Sequence, residues 1–215
     1  MSKGFFIALE GLEGCGKSTS IKYVQDILED MGFDTCCTRE PGGTKSGEHI
    51  RSFLLDPHTK LAPATELMLM NAARAQLCAE LIRPKLDQGI CVISDRFSLS
   101  TIAYQGHGRG INLSTIEQLN NTATGLLKPD LTILLDVPLE TSLRRMHHRN
   151  SSDRIEQESK DFFRRVREGY LQAARLDKSI AIVDADCSIS DLYKGLLKTL
   201  THFVSSRKPW LMYML

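Results

Sequence analysis

The sequence lacks the features that mark membrane and polyanion-binding proteins. Its first apolar stretch, residues 5–9, is only five residues long and ends at Glu10, and no run elsewhere is long enough to span a bilayer. The formal net charge is +1, so no general polyanion-binding surface is indicated. We therefore expect neither a signal peptide nor a membrane or nucleic-acid partner, and any phosphate binding must come from local arginines.

The six cysteines show neither a C-x-x-C pair nor a metal-ligand spacing. They are Cys15, Cys36, Cys37, Cys78, Cys91 and Cys187. Buried free thiols are the expected state, which suits a reducing compartment. The expected location is therefore the cytoplasm.

A phosphate-binding pattern is present close to the start of the chain. Residues 11–18 read GLEGCGKS, which fits G-x-x-x-x-G-K-[ST], and they stand between an apolar run and a helix-compatible stretch. Backbone N–H groups of such a loop point at phosphate oxygens, Lys17 would neutralise the β- and γ-phosphates, and the Ser18 hydroxyl would bind Mg²⁺. The candidate ATP-binding residues are Gly11, Leu12, Glu13, Gly14, Cys15, Gly16, Lys17 and Ser18.

Short apolar runs alternate with longer helical patterns, which predicts an α/β fold with a parallel sheet and crossover helices. The predicted strands are 5–9, 34–38, 90–94, 131–135 and 180–183. The predicted helices are 18–31, 47–54, 64–88, 114–124, 139–148, 158–177 and 189–204, with Pro84 kinking or dividing the third. A length of 215 residues suits one domain, which we place at 1–204, followed by a tail of unassigned role at 205–215.

Polar clusters follow the first three predicted strands and should converge on one cleft, because ligands gather at the carboxyl ends of parallel strands. Asp95 could hold Mg²⁺ through water, and Arg96 could bind a second phosphate-bearing substrate. A structural ion pair at the strand end is the alternative. Arg74 lies in a largely apolar helical stretch, where a buried salt bridge and a ligand contact are both open.

The polar stretch 147–154 predicts a loop rich in arginine. Arg144, Arg145, Arg149 and Arg154 cluster around it. Arginines on a closing lid can stabilise the charge of a transferring phosphoryl group, although a solvated charge run is the alternative for one or two of them.

Two other nucleotide-dependent classes are excluded by missing motifs. Residues 135–138 read LDVP where a GTPase would carry N-K-x-D, and neither an H-R-D nor a D-F-G set of a protein kinase is present.

Together, seven separated motifs resemble those of the bacterial thymidylate kinase family over roughly residues 5–204. They are residues 10–18, the TREPGGT segment 38–44, 51–55, the AAR segment 72–74, the DRF segment 95–97, 103–106 and the DRIE segment 153–156. The resemblance implies a three-layer P-loop fold with a five-stranded parallel sheet and a mobile lid at about 147–157. It further implies Mg²⁺-dependent transfer of the ATP γ-phosphoryl group to dTMP, giving dTDP and ADP, by a homodimer that could pack through the helix around 64–81.

The resemblance also assigns roles to matching positions. Glu13 would lie near the sugar and phosphate of dTMP, Asp95 and Ser18 would hold Mg²⁺, and Met70 stands where the family commonly has a Phe that stacks on thymine. Phe97 or Tyr104 could compensate. The remaining dTMP-binding candidates are Arg39, Arg51 and Arg96 for the phosphate, Arg74 for thymine O4, and Thr101 and Gln105 for the rest of the base edge.

The catalytic arginine of this family lies either in the phosphate loop or in the lid. Here Gly14 follows Glu13, so the chain resembles the lid-arginine type, with Arg149 and Arg154 as candidates beside Lys17 and Arg96. Arg149 is also a candidate ATP contact. Two rival functions remain open: a UMP/CMP or GMP kinase, and a P-loop ATPase that regulates a partner.

Overall fold

The computed structural model describes residues 4–147 and 153–207. Its five strands form one parallel sheet in the order β2-β3-β1-β4-β5. The strands are β1 Phe6–Glu10, β2 Thr35–Arg39, β3 Cys91–Asp95, β4 Leu131–Asp136 and β5 Ile180–Asp184. Parallel neighbours require crossover connections, and helices supply them here.

Nine α-helices are present in the described ranges. They are α1 Lys17–Asp30, α2 Lys45–Leu55, α3 Pro63–Leu77, α4 Arg83–Asp87, α5 Ser98–Thr101, α6 Leu113–Thr124, α7 Leu139–His147, α8 Lys160–Leu176 and α9 Ile189–Arg207. No helix of this described part is long and apolar enough to cross a bilayer. Helix α9 extends three residues beyond its predicted end, and residues 208–215 of the predicted tail lie outside the described residues.

The sheet separates two apolar layers, as the α/β prediction requires. Ile7 and Leu9 of β1 face a cluster formed with α1 and α9, whereas Phe6 and Ala8 of β1 face another formed with α3 and its continuation. The three central strands are almost completely buried, and the edge strands β2 and β5 are only partly so. The fold class expected from the sequence is confirmed.

All five strands end one residue later than predicted, and the last residue of each is polar. Glu10, Arg39 and Asp95 close β1, β2 and β3, and in the register Leu9 and Arg39 both pair with Asp95. The apolar runs locate the strands but end before the pairing does, because a polar residue can continue the backbone ladder. These last residues stand side by side at the carboxyl edge of the sheet.

The chain between residues 64 and 108 differs from the predicted helical pattern at two places. The long predicted helix is divided: α3 ends at Leu77, a π-helical turn spans Cys78–Ile82, and α4 carries Pro84 near its start. A second helical segment, α5 followed by π-helical Ile102–Gly108, was not predicted. It contains two glycines, which disfavour helix, and it is held by packing against α8, where Gly108 leaves room for the Phe162 ring.

Candidate active site

One cavity of about 240 Å³ opens at the carboxyl edge of the sheet. It brings together residues from the phosphate loop, β2, β3, α3 and the segment after β3. Among its lining residues are all eight candidate dTMP contacts, namely Glu13, Arg39, Arg51, Met70, Arg74, Arg96, Thr101 and Gln105. Lys17, Ser18 and Asp95 line the same cavity, so the candidate phosphate, metal and acceptor groups share one space.

The phosphate loop has the predicted strand–loop–helix setting between β1 and α1. Lys17 lies at the first turn of α1, where its Nζ donates to the carbonyl oxygens of Leu12 (2.8 Å) and Gly11 (3.2 Å). Gly14 has φ = 71°, and a Cβ atom there would lie 2.8 Å from the Ser142 carbonyl oxygen. A side chain at position 14 is therefore strained and obstructed, which fits a loop that carries no arginine.

Glu13 and Arg96 form an ion pair beside this loop. Arg96 Nη2 lies 2.7 Å from Glu13 Oε1, and Tyr104 donates its hydroxyl proton to Glu13 Oε2. The Arg96 guanidinium lies 4.9 Å from the centre of the Tyr104 ring. Burial alone would raise the pKa of Glu13, but the charges of Arg96 and Lys17 outweigh it and hold that pKa below its ordinary value.

Glu10 lies beside the candidate site, although it is not among the candidate residues predicted from the sequence. It is fully buried at the end of β1 and accepts hydrogen bonds from the backbone N–H groups of Phe97 and Ser100 and from the hydroxyls of Ser100 and Tyr170. Burial raises its pKa despite the nearby Arg96 charge. In the sequence, Glu10 could have been identified as a carboxylate that directly follows an apolar run. The contacts anchor the segment that carries Arg96 and Thr101.

Two arginines from β2 and α2 border the cavity beside Glu40 and Pro41. Arg51 Nη1 donates to the Pro41 carbonyl oxygen at 2.8 Å, and Arg39 Nη2 pairs with the exposed Glu48 at 3.0 Å. Burial and then the like charge of Arg39 lower the pKa of Arg51. Two cations placed this way attract an anion, which suits the phosphate role expected for both.

Arg74 forms a buried salt bridge and also borders the cavity, the two possibilities that the sequence left open. Its side chain is only 2% exposed and pairs with Glu40 at 2.6 Å, yet it also lines the cavity. All five N–H groups have protein acceptors: Glu40 takes two of them, and Thr101, Asn120 and the Phe97 carbonyl oxygen take one each. A bound base that contacts Arg74 would therefore share an N–H group that already donates to a protein acceptor.

The aromatic residues considered as substitutes for Met70 differ in position. Met70 and Tyr104 line the cavity, whereas Phe97 is buried in the core, with its ring edge-to-face on Phe6 at 4.8 Å. Tyr104 is thus the aromatic ring available to a ligand, and its hydroxyl is held by Glu13.

Asp95 and Ser18 fit the expected magnesium site. Asp95 Oδ1 is buried and has no hydrogen-bond partner in the described part of the chain, and Asp95 and the exposed Ser18 border the same cavity. No group of three His, Cys, Asp or Glu residues that could hold a metal occurs within the described ranges. Because Mg²⁺ is often held by one or two carboxylates, substrate phosphates and water, this donor set suits it.

Arg154 and Arg149, the two lid candidates, stand differently in the structure. Arg154 does not line the cavity: its Nε donates to the Leu54 carbonyl oxygen at 2.8 Å, and its Nη2 lies 2.7 Å from Glu66 Oε2. Asp153, beside it, accepts from the backbone N–H groups of Ile155 and Glu156. Arg149 lies outside the described residues.

Comparison with known proteins decides which family this cavity belongs to. The sequence model described as thymidylate kinase matches residues 9–195. The chain belongs to the thymidylate kinase family. It is 46% identical over 200 residues to the thymidylate kinase of Neisseria gonorrhoeae (92% of this chain, 97% of that protein). It is 43% identical over 194 residues to that of Kosmotoga olearia (90% and 93%).

A third relative, the thymidylate kinase of Ectopseudomonas mendocina, is 46% identical over 191 residues, which cover 88% of this chain and 91% of that protein. The family expected from the separated motifs is confirmed, and the chain is a phosphotransferase of the thymidylate kinase family rather than a UMP/CMP kinase, a GMP kinase or a regulatory ATPase.

Proposed function

We propose that this phosphotransferase moves the γ-phosphoryl group of Mg²⁺-bound ATP to the phosphate of dTMP, giving ADP and dTDP. The observation that carries the assignment of residues is the single cavity that joins Lys17 and Ser18 to the acceptor arginines. A protein that only hydrolyses ATP has no use for four further arginines, Arg39, Arg51, Arg74 and Arg96, in the cavity that holds Lys17.

The acceptor would be fixed by its phosphate. Arg39, Arg51 and Arg96 would supply the positive charge, and of these three Arg96 is paired with a carboxylate of the cavity lining, that of Glu13. Holding the acceptor oxygen in line with the γ-phosphate removes much of the entropic cost of bringing two substrates together.

Lys17 would leave the carbonyl oxygens of Gly11 and Leu12 and bind the β- and γ-phosphates, which are far stronger acceptors. Charge builds up on the transferring group, so a cation placed there stabilises the transition state more than the bound substrates. When bound by Ser18 and, through water, by Asp95, Mg²⁺ would neutralise part of the triphosphate charge. No covalent intermediate is needed.

The lid would close over the reacting groups and keep water out. Arg154 anchors one side of it through Leu54 and Glu66, so we assign the direct contact with the transferred phosphoryl group, and an ATP contact, to Arg149. Arg154 then contributes to catalysis as a positioning residue.

The thymine ring would lie between Met70 and Tyr104, with its polar edge toward Arg74, Thr101 and Gln105. Thr101 Oγ1 accepts a hydrogen bond from Arg74 at 2.8 Å, so the Thr101 hydroxyl proton points away from Arg74. Donors facing O4 suit thymine, which carries an oxygen where cytosine carries an amino group.

We further propose a homodimer formed through α3. An outward stripe on this helix consists of Ala64, Met68 and Ala72 at a spacing of four, and Met68 is 63% exposed. Replacing Met68 by Glu should shift the mass in sedimentation equilibrium toward the monomer; an unchanged mass at micromolar concentration would contradict this face. The six free cysteines support a cytoplasmic location.

The decisive experiment is a coupled phosphoryl-transfer assay with ATP, Mg²⁺ and each of dTMP, dUMP, UMP, CMP and GMP. We expect dTMP to be the preferred acceptor. Equal ATP hydrolysis with and without acceptor, or a higher kcat/KM with CMP or GMP, would refute the proposal.

A further inference from the structure

A buried carboxylate, Glu66, lies behind the base-reading side of the cavity. Its side chain is 1% exposed, and it is not one of the residues that line the cavity. Oε1 accepts from Gln105 Nε2 at 2.7 Å and from Arg109 Nε at 3.2 Å. Oε2 lies 3.1 Å from Arg109 Nη2 and 2.7 Å from Arg154 Nη2.

The cations around Glu66 keep it ionised. Burial would raise its pKa, but the hydrogen bonds from Arg109 and Gln105 and the charge of Arg109 outweigh burial and hold the pKa below its ordinary value. Arg109 is fixed in turn by Glu158 at 2.5 Å and by the Phe162 ring, 4.7 Å from its guanidinium carbon. Glu66 is therefore a carboxylate that can only accept hydrogen bonds.

An acceptor-only neighbour determines which way a carboxamide points. Gln105 must turn Nε2 toward Glu66, which leaves its Oε1 on the opposite side of the amide. Gln105 is 1% exposed and lines the cavity, and within the described contacts its Oε1 accepts no hydrogen bond. A carboxamide oxygen is thus presented to the ligand.

We infer that Glu66 is a positioning residue for base selection, which fixes the Gln105 carboxamide with its oxygen toward the acceptor base. An oxygen there accepts the N3–H of thymine or uracil and repels N3 of cytosine, which is itself an acceptor. This inference rests on the proposed function, because it assumes that a nucleoside monophosphate base lies beside Gln105.

The change Glu66→Gln tests the inference through specificity. The new carboxamide should place its oxygen at the Oε2 position, where Arg109 Nη2 and Arg154 Nη2 both donate. Its NH₂ group then takes the Oε1 position, where it faces Gln105 and gives up the longer contact with Arg109 Nε at 3.2 Å. The Gln105 amide would turn over and present NH₂ to the base, which favours the acceptor N3 of dCMP. We expect the ratio of kcat/KM for dTMP to that for dCMP to fall roughly tenfold to a hundredfold, the effect of one mispaired buried hydrogen-bonding group.

The matched control is Glu66→Asp, which keeps an acceptor-only carboxylate and should retain the dTMP preference even if both rates fall. A purely structural role would lower both kcat/KM values by the same factor in Glu66→Gln and leave the ratio unchanged, which would overturn the inference. Wild-type enzyme that fails to phosphorylate dTMP would instead refute the proposed function.

A measurement on the wild-type protein covers the case in which Glu66→Gln does not fold. The side-chain amide protons of Gln105, assigned by comparison with Gln105→Leu, should exchange slowly with solvent in NMR spectra, and this should persist when dTMP is added. Fast exchange in the free protein, or loss of protection upon dTMP binding, would show that Nε2 is not held by Glu66.

Discussion

Arg74 and Glu40 form a buried ion pair at 2.6 Å, with side chains 2% and 4% exposed. Burial raises the pKa of Glu40 even though Arg74 opposes it, so the carboxylate depends on this one cation. Arg74 thus stabilises the fold as well as bordering the acceptor cavity.

Replacing Arg74 by Met should lower the free energy of unfolding by about 3–5 kcal/mol, because it leaves a buried carboxylate without its partner. Urea denaturation followed by circular dichroism measures this change. The double variant Arg74→Met with Glu40→Gln should regain part of the loss. If Arg74→Met alone were as stable as wild type, Glu40 would have to become protonated or solvated once the Arg74 guanidinium is removed.

Replacing Lys17 by Ala should remove activity and leave the fold intact. The hydrogen bonds that Lys17 makes in the described part of the chain go to the phosphate loop, so its loss leaves the packing of the fold unchanged, whereas one transition-state contact of this kind is worth ~10²–10³ in rate. Steady-state assays with circular dichroism as a folding check measure both. The matched control is Lys22→Ala, an exposed lysine on the same helix. Turnover above about a tenth of wild type would contradict the role of Lys17.

Replacing Met70 by Phe should lower KM for dTMP with little change in kcat. Met70 lines the cavity, and an aromatic pair is worth about 0.5–1.5 kcal/mol beyond the area that it buries, part of which a thioether already supplies, so we expect a gain in affinity of at most roughly tenfold. Initial rates over a dTMP series measure KM. An exposed change, Leu176→Phe, serves as the control. An unchanged or higher KM would show that Met70 does not contact the base.

Sequence patterns were sufficient for the strands and the phosphate loop, and the family resemblance supplied the eight candidate dTMP contacts that line the cavity. Apolar runs mark buried strands directly, and a loop motif is a local pattern. What could not be predicted depends on partners far apart in the chain: Glu66 meets Gln105, Arg109 and Arg154 across 39 to 88 positions. Arg154 likewise resembles a lid arginine in the sequence, and the structure shows instead that it contacts Leu54 and Glu66 and does not line the cavity.

The segment 98–108 shows a second reason why part of the structure could not be predicted from the sequence. Its glycines and polar residues disfavour a helix, so the local pattern indicates a loop. The helix forms because Glu10 accepts the N–H groups at its start and α8 packs along its length. Both partners are distant in sequence, and neither leaves a trace in the segment itself.

The buried Glu10 should make the stability of the fold depend on pH. Because its folded pKa is raised above the ordinary value near 4.5, the folded state binds the proton more tightly than the unfolded chain does. Stability from this group is therefore present below pH 4.5 and is lost as the pH rises through the raised pKa. Glu10→Gln cannot lose that proton, so its stability relative to wild type should increase from pH 4.5 upward.

Urea unfolding of both proteins at half-unit steps between pH 4 and pH 8 measures this difference. The free energy of unfolding of wild type is subtracted from that of the variant at each pH, which removes the contributions of Glu13 and Glu66 that both proteins share. The pKa values of these two groups are lowered, so their contribution to stability has the opposite pH dependence and is lost as the pH falls below 4.5. A difference that stays constant over the range would mean that Glu10 is ionised in both states. The hydrogen bonds from Ser100, Phe97 and Tyr170 would then outweigh its burial.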